Sequence, residues 1–174
     1  RHTWKNFVCI GRASELLMEE MRELLREVQQ TIGYRYIKFH GLLSDDMRVC
    51  QRNNQGEIVY SFILMDKAID FLLSIGLKPL IQLSFMPDVL AKEPPRTVFN
   101  FRVNEPKHLD EWAALVRATT LHFIDRYGKA EVENWPFCVW NEPDTPSDLM
   151  FGFENAKDFY PFYRETYRAV KECS

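Results

Sequence analysis

The stretch LLREVQQTIGYRYIKFH, from Leu24 to His40, changes its pattern at a glycine. Before Gly33 the apolar residues recur with helical spacing, and after it β-branched and aromatic residues follow one another as in a strand. A glycine just beyond a helix adopts the left-handed conformation that caps the last carbonyls, so Gly33 marks a helix end. This stretch therefore predicts a helix followed directly by a strand.

The same change occurs twice more along the chain, in AIDFLLSIGLKPLIQLSF around Gly76 and in TTLHFIDRYGKAEVENWPFCVW around Gly128. Three helix–glycine–strand units in succession predict β/α alternation and a parallel sheet. The candidate strands are nearly continuous apolar runs, as expected for parallel strands covered on both faces. They are expected near residues 7–10, 35–40, 80–85 and 135–140.

The helices are predicted from the spacing of their apolar residues. Ser14 is a candidate N-cap for the first helix, and a last helix is expected over Asp158–Lys171, with Pro161 in or near its first turn. The apolar stripes are Leu17, Met21, Leu24 and Val28 in the first helix and Trp112, Val116, Thr119 and Phe123 in the helix before Gly128.

The longer connections, over residues 41–60, 86–106 and 142–155, all follow strand ends, where (β/α)8 barrels carry their sites.

Composition narrows the class of protein. The 174 residues, 46% hydrophobic and 27% charged, are enough for one ordinary domain or a piece of a larger one. A net charge of -3 argues against a nucleic-acid-binding surface, and no apolar run approaches the roughly 18 residues of a membrane span. The four cysteines lack C-x-x-C spacing and nearby histidines, which predicts no metal site and the reduced thiols of a cytoplasmic protein.

The predicted strand ends carry the candidate site residues. FCVWNEPD places Asn141 and Glu142 directly after an apolar strand, and a carboxyl among aromatic residues such as Trp140 would have its ionised form disfavoured, as a general acid requires. His40 ends the second strand and Phe85 the third. Because the ends of parallel strands meet at one face, these side chains are expected to converge. Aromatic residues near an amide and a carboxyl suggest a carbohydrate ligand.

Structural interpretations of the same residues stay open at this point. Residues 141–143 could form a turn, since Asn and Pro both favour one, although a turn does not require a Glu. His40 could be a packed, hydrogen-bonded histidine, and Phe85 could be core followed by a turn. Asp45 and Asp46, in the loop after the second strand, could cap that turn.

Five segments give the sequence a family resemblance. They are similar, in order and across nearly the whole chain, to glycoside hydrolase family 39, which contains β-xylosidases and α-L-iduronidases. The segments are GRAS at Gly11–Ser14, YIKFHGLLSDDM at Tyr36–Met47, GLKPLIQLSFMP at Gly76–Pro87, RYG at Arg126–Gly128 and FCVWNEPD at Phe137–Asp144.

This resemblance implies a retaining glycosidase that acts on a xylose-type sugar or β-glycoside without a cofactor. Glu142 would be the acid/base, Asn141 would bind the hydroxyl next to the anomeric carbon, His40 would line the same subsite, and Phe85 would lie in the pocket wall. The family's nucleophile is a Glu near the end of the seventh barrel strand, and no residue here matches it.

The chain is therefore expected to be the amino-terminal half, about four β/α units, of a (β/α)8 barrel spanning residues 1–174. Alone, it is expected to be inactive and to self-associate through open sheet edges at its first and fourth strands.

Three positions depart from the family pattern. Lys38 stands in place of an Arg, Gln82 in place of a Glu, and Cys138 in place of the Glu in F-E-V-W-N-E-P.

The sequence also resembles the family-39-like domains fused to AraC-type transcription regulators. An alternative function is therefore a non-catalytic sugar sensor that uses the same pocket.

Overall fold

The computed structural model describes residues 3–145 and 156–173. In this part of the chain the strands are β1 Phe7–Arg12, β2 Tyr36–His40, β3 Cys50–Arg52, β4 Ile58–Tyr60, β5 Lys78–Leu83, β6 Thr97–Val98, β7 Phe101–Arg102 and β8 Phe137–Val139. The α-helices are α1 Glu19–Thr31, α2 Ile63–Ser74, α3 Leu109–Tyr127, α4 Lys129–Val132 and α5 Ala156–Lys171. Short 3-10 helices cover Thr3–Lys5, Ala13–Leu17 and Asp45–Met47.

A parallel four-stranded sheet, in the order β1–β2–β5–β8, forms the centre of the fold. Each of its strands is followed by a helix, so the four β/α units predicted from the sequence are confirmed. The hairpins β3–β4 and β6–β7 lie in the long connections after β2 and β5. Among the described residues β1 and β8 each pair with one neighbour, so the sheet has the form of a partial barrel with two edges.

The predicted strands are found, but their ends shift, most clearly in β8. The strand expected over residues 135–140 covers only Phe137–Val139. Trp135 lies before it, where its indole N–H donates to Glu131 at 2.9 Å. Trp140 has a φ of 67°, which takes its backbone out of the extended region and ends the strand.

The start of the first helix differs from the prediction. Ser14 does not cap α1, because it lies in the 3-10 helix Ala13–Leu17, and its hydroxyl donates to Asp46 Oδ2 at 2.7 Å. Of the predicted stripe, Leu17 and Met21 pack against the core and Val28 is partly buried. Leu25 is buried, whereas Leu24, predicted to face the core, is 52% exposed.

Helix α3 has the buried face that its sequence predicts, formed by Trp112, Val116, Thr119 and Phe123. It packs against α5, where the Trp112 indole N–H donates to the buried Thr166 hydroxyl at 2.8 Å.

Helix α5 extends over Ala156–Lys171, so Pro161 lies inside the helix and beyond its first turn. The expected position of Pro161 in or near the first turn is therefore wrong, because the helix begins earlier than the spacing indicated.

The described residues include no helix that is long and apolar enough to cross a membrane. Within the same ranges no group of three or more His, Cys, Asp or Glu side chains could hold a metal ion. The four cysteines carry free thiols, and Cys50 is buried while Cys9 is exposed.

Candidate active site

A cavity of about 520 Å³ opens at the carboxyl ends of the four parallel strands. All four site residues predicted from the sequence line it: His40, Phe85, Asn141 and Glu142. The predicted convergence of strand ends therefore occurs, and His40 and Glu142 share one cavity although they lie far apart in the sequence.

The surroundings of Glu142 differ from the expectation. Glu142 is exposed at the cavity, so the expected burial of its carboxyl among aromatic residues is wrong. The neighbouring Trp140 is fully buried and Asn141 is buried as well. The chain turns at the strand end in such a way that these two side chains enter the protein and the Glu142 carboxyl remains accessible to a ligand.

This turn requires an uncommon backbone. Trp140 and Glu142 have φ values of 67° and 44°, in the left-handed region that costs about 1–3 kcal/mol for such residues. Packing around Trp140 offsets that cost, because its ring meets Phe85 at 5.3 Å, Phe162 at 5.7 Å and Trp112 at 6.3 Å between centroids. The aromatic cluster beneath the cavity thus fixes the direction of the segment that carries Glu142.

Asn141 is oriented by Gln82 on the neighbouring strand β5. The buried Gln82 amide nitrogen donates to Asn141 Oδ1 at 3.1 Å and to the Trp140 carbonyl at 2.8 Å. Because Asn141 Oδ1 accepts this bond, its Nδ2 group is the part that can donate to a ligand. In the sequence, Gln82 stands where the family pattern has a Glu. An ionised Glu at this position could not donate hydrogen bonds to the Trp140 carbonyl and Asn141 Oδ1.

His40 lies against the aromatic wall of the cavity. Its ring meets Phe85 edge-on at 5.8 Å and Phe101 at 5.2 Å between centroids. Phe85 and Phe101 are themselves stacked at 4.5 Å, and both are buried. The wall therefore presents an imidazole edge beside two packed rings.

Burial, together with the nearby charges, lowers the pKa of His40. Burial has the largest effect on this pKa, and the cationic side chains of Lys38 and Arg12 lower it further, while Glu15 and Glu142 act in the opposite direction. At neutral pH the imidazole is consequently uncharged, so one ring nitrogen donates a hydrogen bond and the other accepts one.

The structure also places in the cavity residues that sequence reasoning missed, among them Arg12, Glu15 and Phe101. The Arg12 guanidinium lies over the Phe101 ring, 4.2 Å from its centroid. Gly11 makes room for the Glu15 carboxylate, since a Cβ at Gly11 would lie 2.8 Å from Glu15 Oε1. The available signal for Arg12 and Glu15 was a glycine and an arginine at the end of the first strand, followed three residues later by a glutamate.

Asp45 and Asp46 do not line the cavity that holds Glu142. Asp46 accepts the Ser14 hydroxyl, and Asp45 Oδ2 accepts the backbone N–H of Asp88 at 3.0 Å. Burial raises the pKa of Asp45, and the nearby Asp88 and Asp46 carboxylates raise it further. These two aspartates join neighbouring loops at the rim of the sheet, which is a structural role close to the turn interpretation.

The parallel β/α sheet, with its cavity at the carboxyl ends of the strands, has the arrangement of a (β/α)8-barrel protein that carries its site at this face. Comparison with known proteins specifies the family. Residues 1–174 match the sequence profile of "Glycosyl hydrolases family 39", and the chain belongs to glycoside hydrolase family 39.

Curated relatives include two proteins named beta-xylosidase. That of Caldicellulosiruptor saccharolyticus is 42% identical over 168 residues, covering 94% of this chain and 34% of the relative. That of Geobacillus stearothermophilus is 38% identical over 176 residues, covering 98% and 34%. The chain thus spans about a third of the length of these relatives.

The solved structures agree on the fold. A monomeric beta-xylosidase from Caulobacter crescentus CB15 superposes with a TM-score of 0.89 at 30% identity, over 97% of this chain and 34% of the other. The four β/α units are therefore arranged as in the corresponding part of a family member.

Proposed function

We propose that this chain carries the acid/base half of a retaining β-xyloside hydrolase. The observation that supports this most strongly is the single cavity lined by Glu142, Asn141, His40 and Phe85. The similarity to proteins named beta-xylosidase favours a xylose-type sugar over other glycosides.

In the proposed reaction Glu142 gives its proton to the glycosidic oxygen as the bond to the anomeric carbon breaks. The same carboxylate then removes a proton from the water that attacks the glycosyl–enzyme intermediate. Its accessible position suits both steps, because leaving group and water approach from the open side of the cavity.

The other three residues hold the sugar. The Asn141 Nδ2 group donates to the hydroxyl beside the anomeric carbon, and the neutral His40 exchanges a hydrogen bond with another ring hydroxyl. Phe85 supplies an apolar surface in the wall. None of these roles requires a cofactor or a metal.

The nucleophile is the missing component of this reaction. Retaining hydrolysis uses two carboxyl groups about 5–5.5 Å apart. We assign the second to a later barrel strand, outside residues 1–174, in keeping with the third of the relatives' length that the chain spans. Residues 1–174 alone are accordingly expected to hydrolyse no aryl β-xyloside.

The proposed acid role can be tested with two substrates in the whole protein that carries this chain. Glu142→Gln should reduce hydrolysis of xylobiose, whose leaving group needs a proton, by about 100- to 10,000-fold. The same substitution should slow the bond-breaking step of a dinitrophenyl β-xyloside far less than that of xylobiose. Asp144→Asn, an exposed carboxylate of the same segment, is the matched control and should leave both rates unchanged.

Equal losses in the bond-breaking step of the two substrates would contradict the acid role. Saturable xylose binding by the wild-type protein without turnover of either substrate would favour the sugar-sensing alternative. Turnover by residues 1–174 alone, abolished by Glu142→Gln, would show that the nucleophile lies within this chain.

A further inference from the structure

The hairpin β6–β7 lines the cavity with two aromatic side chains that the proposed reaction does not use, the buried Phe101 and the exposed Phe99. Thr97 pairs with Arg102 and Val98 with Phe101, so Phe99 and Asn100 form a two-residue turn between the strands. Phe99 lines the cavity and is 79% exposed. A large apolar ring is thus held at the cavity mouth with few of the described residues packed around it.

The turn itself makes this ring unusual. Phe99 and Asn100 have φ values of 49° and 65°, the left-handed pair found in tight hairpin turns that favour Asn and Gly. Asn100 suits such a position, whereas a bulky aromatic residue is disfavoured there. Phe99 therefore has a conformational cost that packing within the described part of the chain does not offset, a situation associated with functional sites.

The base of the hairpin is held firmly, which fixes where the Phe99 ring can be. The Arg12 guanidinium donates to the Phe99 carbonyl oxygen and lies over the Phe101 ring. Phe101 in turn packs so closely on Gly41 that a Cβ there would lie 2.7 Å from Phe101 Cε1. Only the tip of the hairpin projects from this anchored base.

We infer that Phe99 is a specificity residue that stacks on the ring attached to the leaving oxygen, which in a xylan-type substrate is the second sugar. This inference rests on the proposed function. The C–H face of a pyranose is flat and apolar, as is an aromatic ring, and the mouth of the cavity is where the leaving side of a substrate bound beside Glu142 emerges. Phe99 then contributes to binding a disaccharide but not a monosaccharide.

The test compares xylose with xylobiose in the whole protein that carries this chain, in a Glu142→Gln background that keeps the disaccharide intact. Phe99→Gly removes the ring and suits the left-handed turn, so the hairpin is retained. Its dissociation constant for xylobiose should rise about five- to tenfold, the loss expected for one aromatic contact. Its dissociation constant for xylose should stay within about twofold, and Phe99→Trp should restore xylobiose binding.

Trp4→Ala is the matched control, because Trp4 is 57% exposed and precedes β1, at the opposite end of the sheet from the cavity. It should change neither constant. An equal change for both sugars with Phe99→Gly, no change for xylobiose, or a lower melting temperature from lost packing would each overturn the inference. Failure of the parent protein to bind either sugar would instead overturn the proposed function, and this inference with it.

Discussion

The amide nitrogen of Gln82 donates to the side-chain oxygen of Asn141 at 3.1 Å, and this bond connects strand β5 to the residue beside the proposed acid/base. The same nitrogen donates to the Trp140 carbonyl at 2.8 Å. One buried amide thus satisfies two acceptors on the strained turn after β8. If Asn141 binds the sugar as proposed, Gln82 would act on that ligand through Asn141, as a positioning residue.

Replacing Gln82 should disturb both the turn and the ligand. Gln82→Leu leaves two acceptors without this donor and should lower the free energy of unfolding by about 1–3 kcal/mol, measured by urea titration. Gln51→Leu, an exposed glutamine on β3, is the control and should be nearly neutral.

The positioning role has a separate signature in the pH dependence of sugar binding. Gln82→Glu should bind xylose weakly at neutral pH, because an ionised carboxylate faces two acceptors. Its affinity should recover as the pH falls, since a protonated carboxyl can donate. Gln82→Leu should show no such recovery; the same pH profile for both variants would contradict the role.

His40 should titrate below its ordinary value of about 6.5. Burial and the nearby Lys38 and Arg12 cations favour its neutral form, so its NMR-detected pKa should rise in Lys38→Met. Lys129→Met, on the exposed surface of α4, should not move it. A pKa at or above 6.5 in the wild-type protein would contradict the charge balance described for this cavity.

The same shift predicts the pH dependence of stability. Because the folded-state pKa of His40 is lowered, the unfolded chain binds more protons between that value and about 6.5. The contribution of neutral His40 to the free energy of unfolding should therefore be fully present above about pH 6.5. It should be lost as the pH falls through this window. Urea unfolding of His40→Gln over the same range should show a shallower decrease, and an unchanged slope would contradict this contribution.

The contact between α3 and α5 should depend on one buried hydroxyl. Thr166→Val removes the acceptor of the Trp112 indole N–H and should lower the free energy of unfolding by about 1–3 kcal/mol. Thr119→Val on α3 is a close control, because the Thr119 hydroxyl is buried with no hydrogen-bond partner in the described residues. Equal effects of the two substitutions would contradict the importance of this bond.

Residues 1–174 expressed alone should self-associate through the outer edges of β1 and β8. Unpaired strand edges recruit partners, and Phe7 on β1 is 45% exposed. Phe7→Lys should reduce association in sedimentation velocity, whereas Ile63→Lys, the same kind of change at an exposed residue of α2, should not. A monomer at all concentrations would contradict this expectation.

Much of the fold was readable from local sequence because local physics dictates it. The helical spacing that ends at Gly33 and Gly76 and the apolar runs that follow predicted four β/α units, and their parallel pairing then required the strand ends to converge. The convergence of His40 and Asn141 at one cavity followed from that topology alone, and the motifs around them indicated the family.

Other features depended on contacts between distant segments and were not predictable from spacing. Ser14 could cap a helix in isolation, but Asp46 engages its hydroxyl. Gln82 looked like a lost charge until its acceptors, Trp140 and Asn141, were in place. The exposure of Glu142 likewise depends on a left-handed turn.

The sequence by itself determined the order of the elements and the residue types at the strand ends, because helical and strand periodicity act over a few residues. The tertiary structure alone decided which way those side chains point and what charges surround them. Burial of Trp140 by rings from α3, α5 and the end of β5 stabilises a backbone conformation that no local preference favours. The direction of the Glu142 carboxyl is a consequence of that packing.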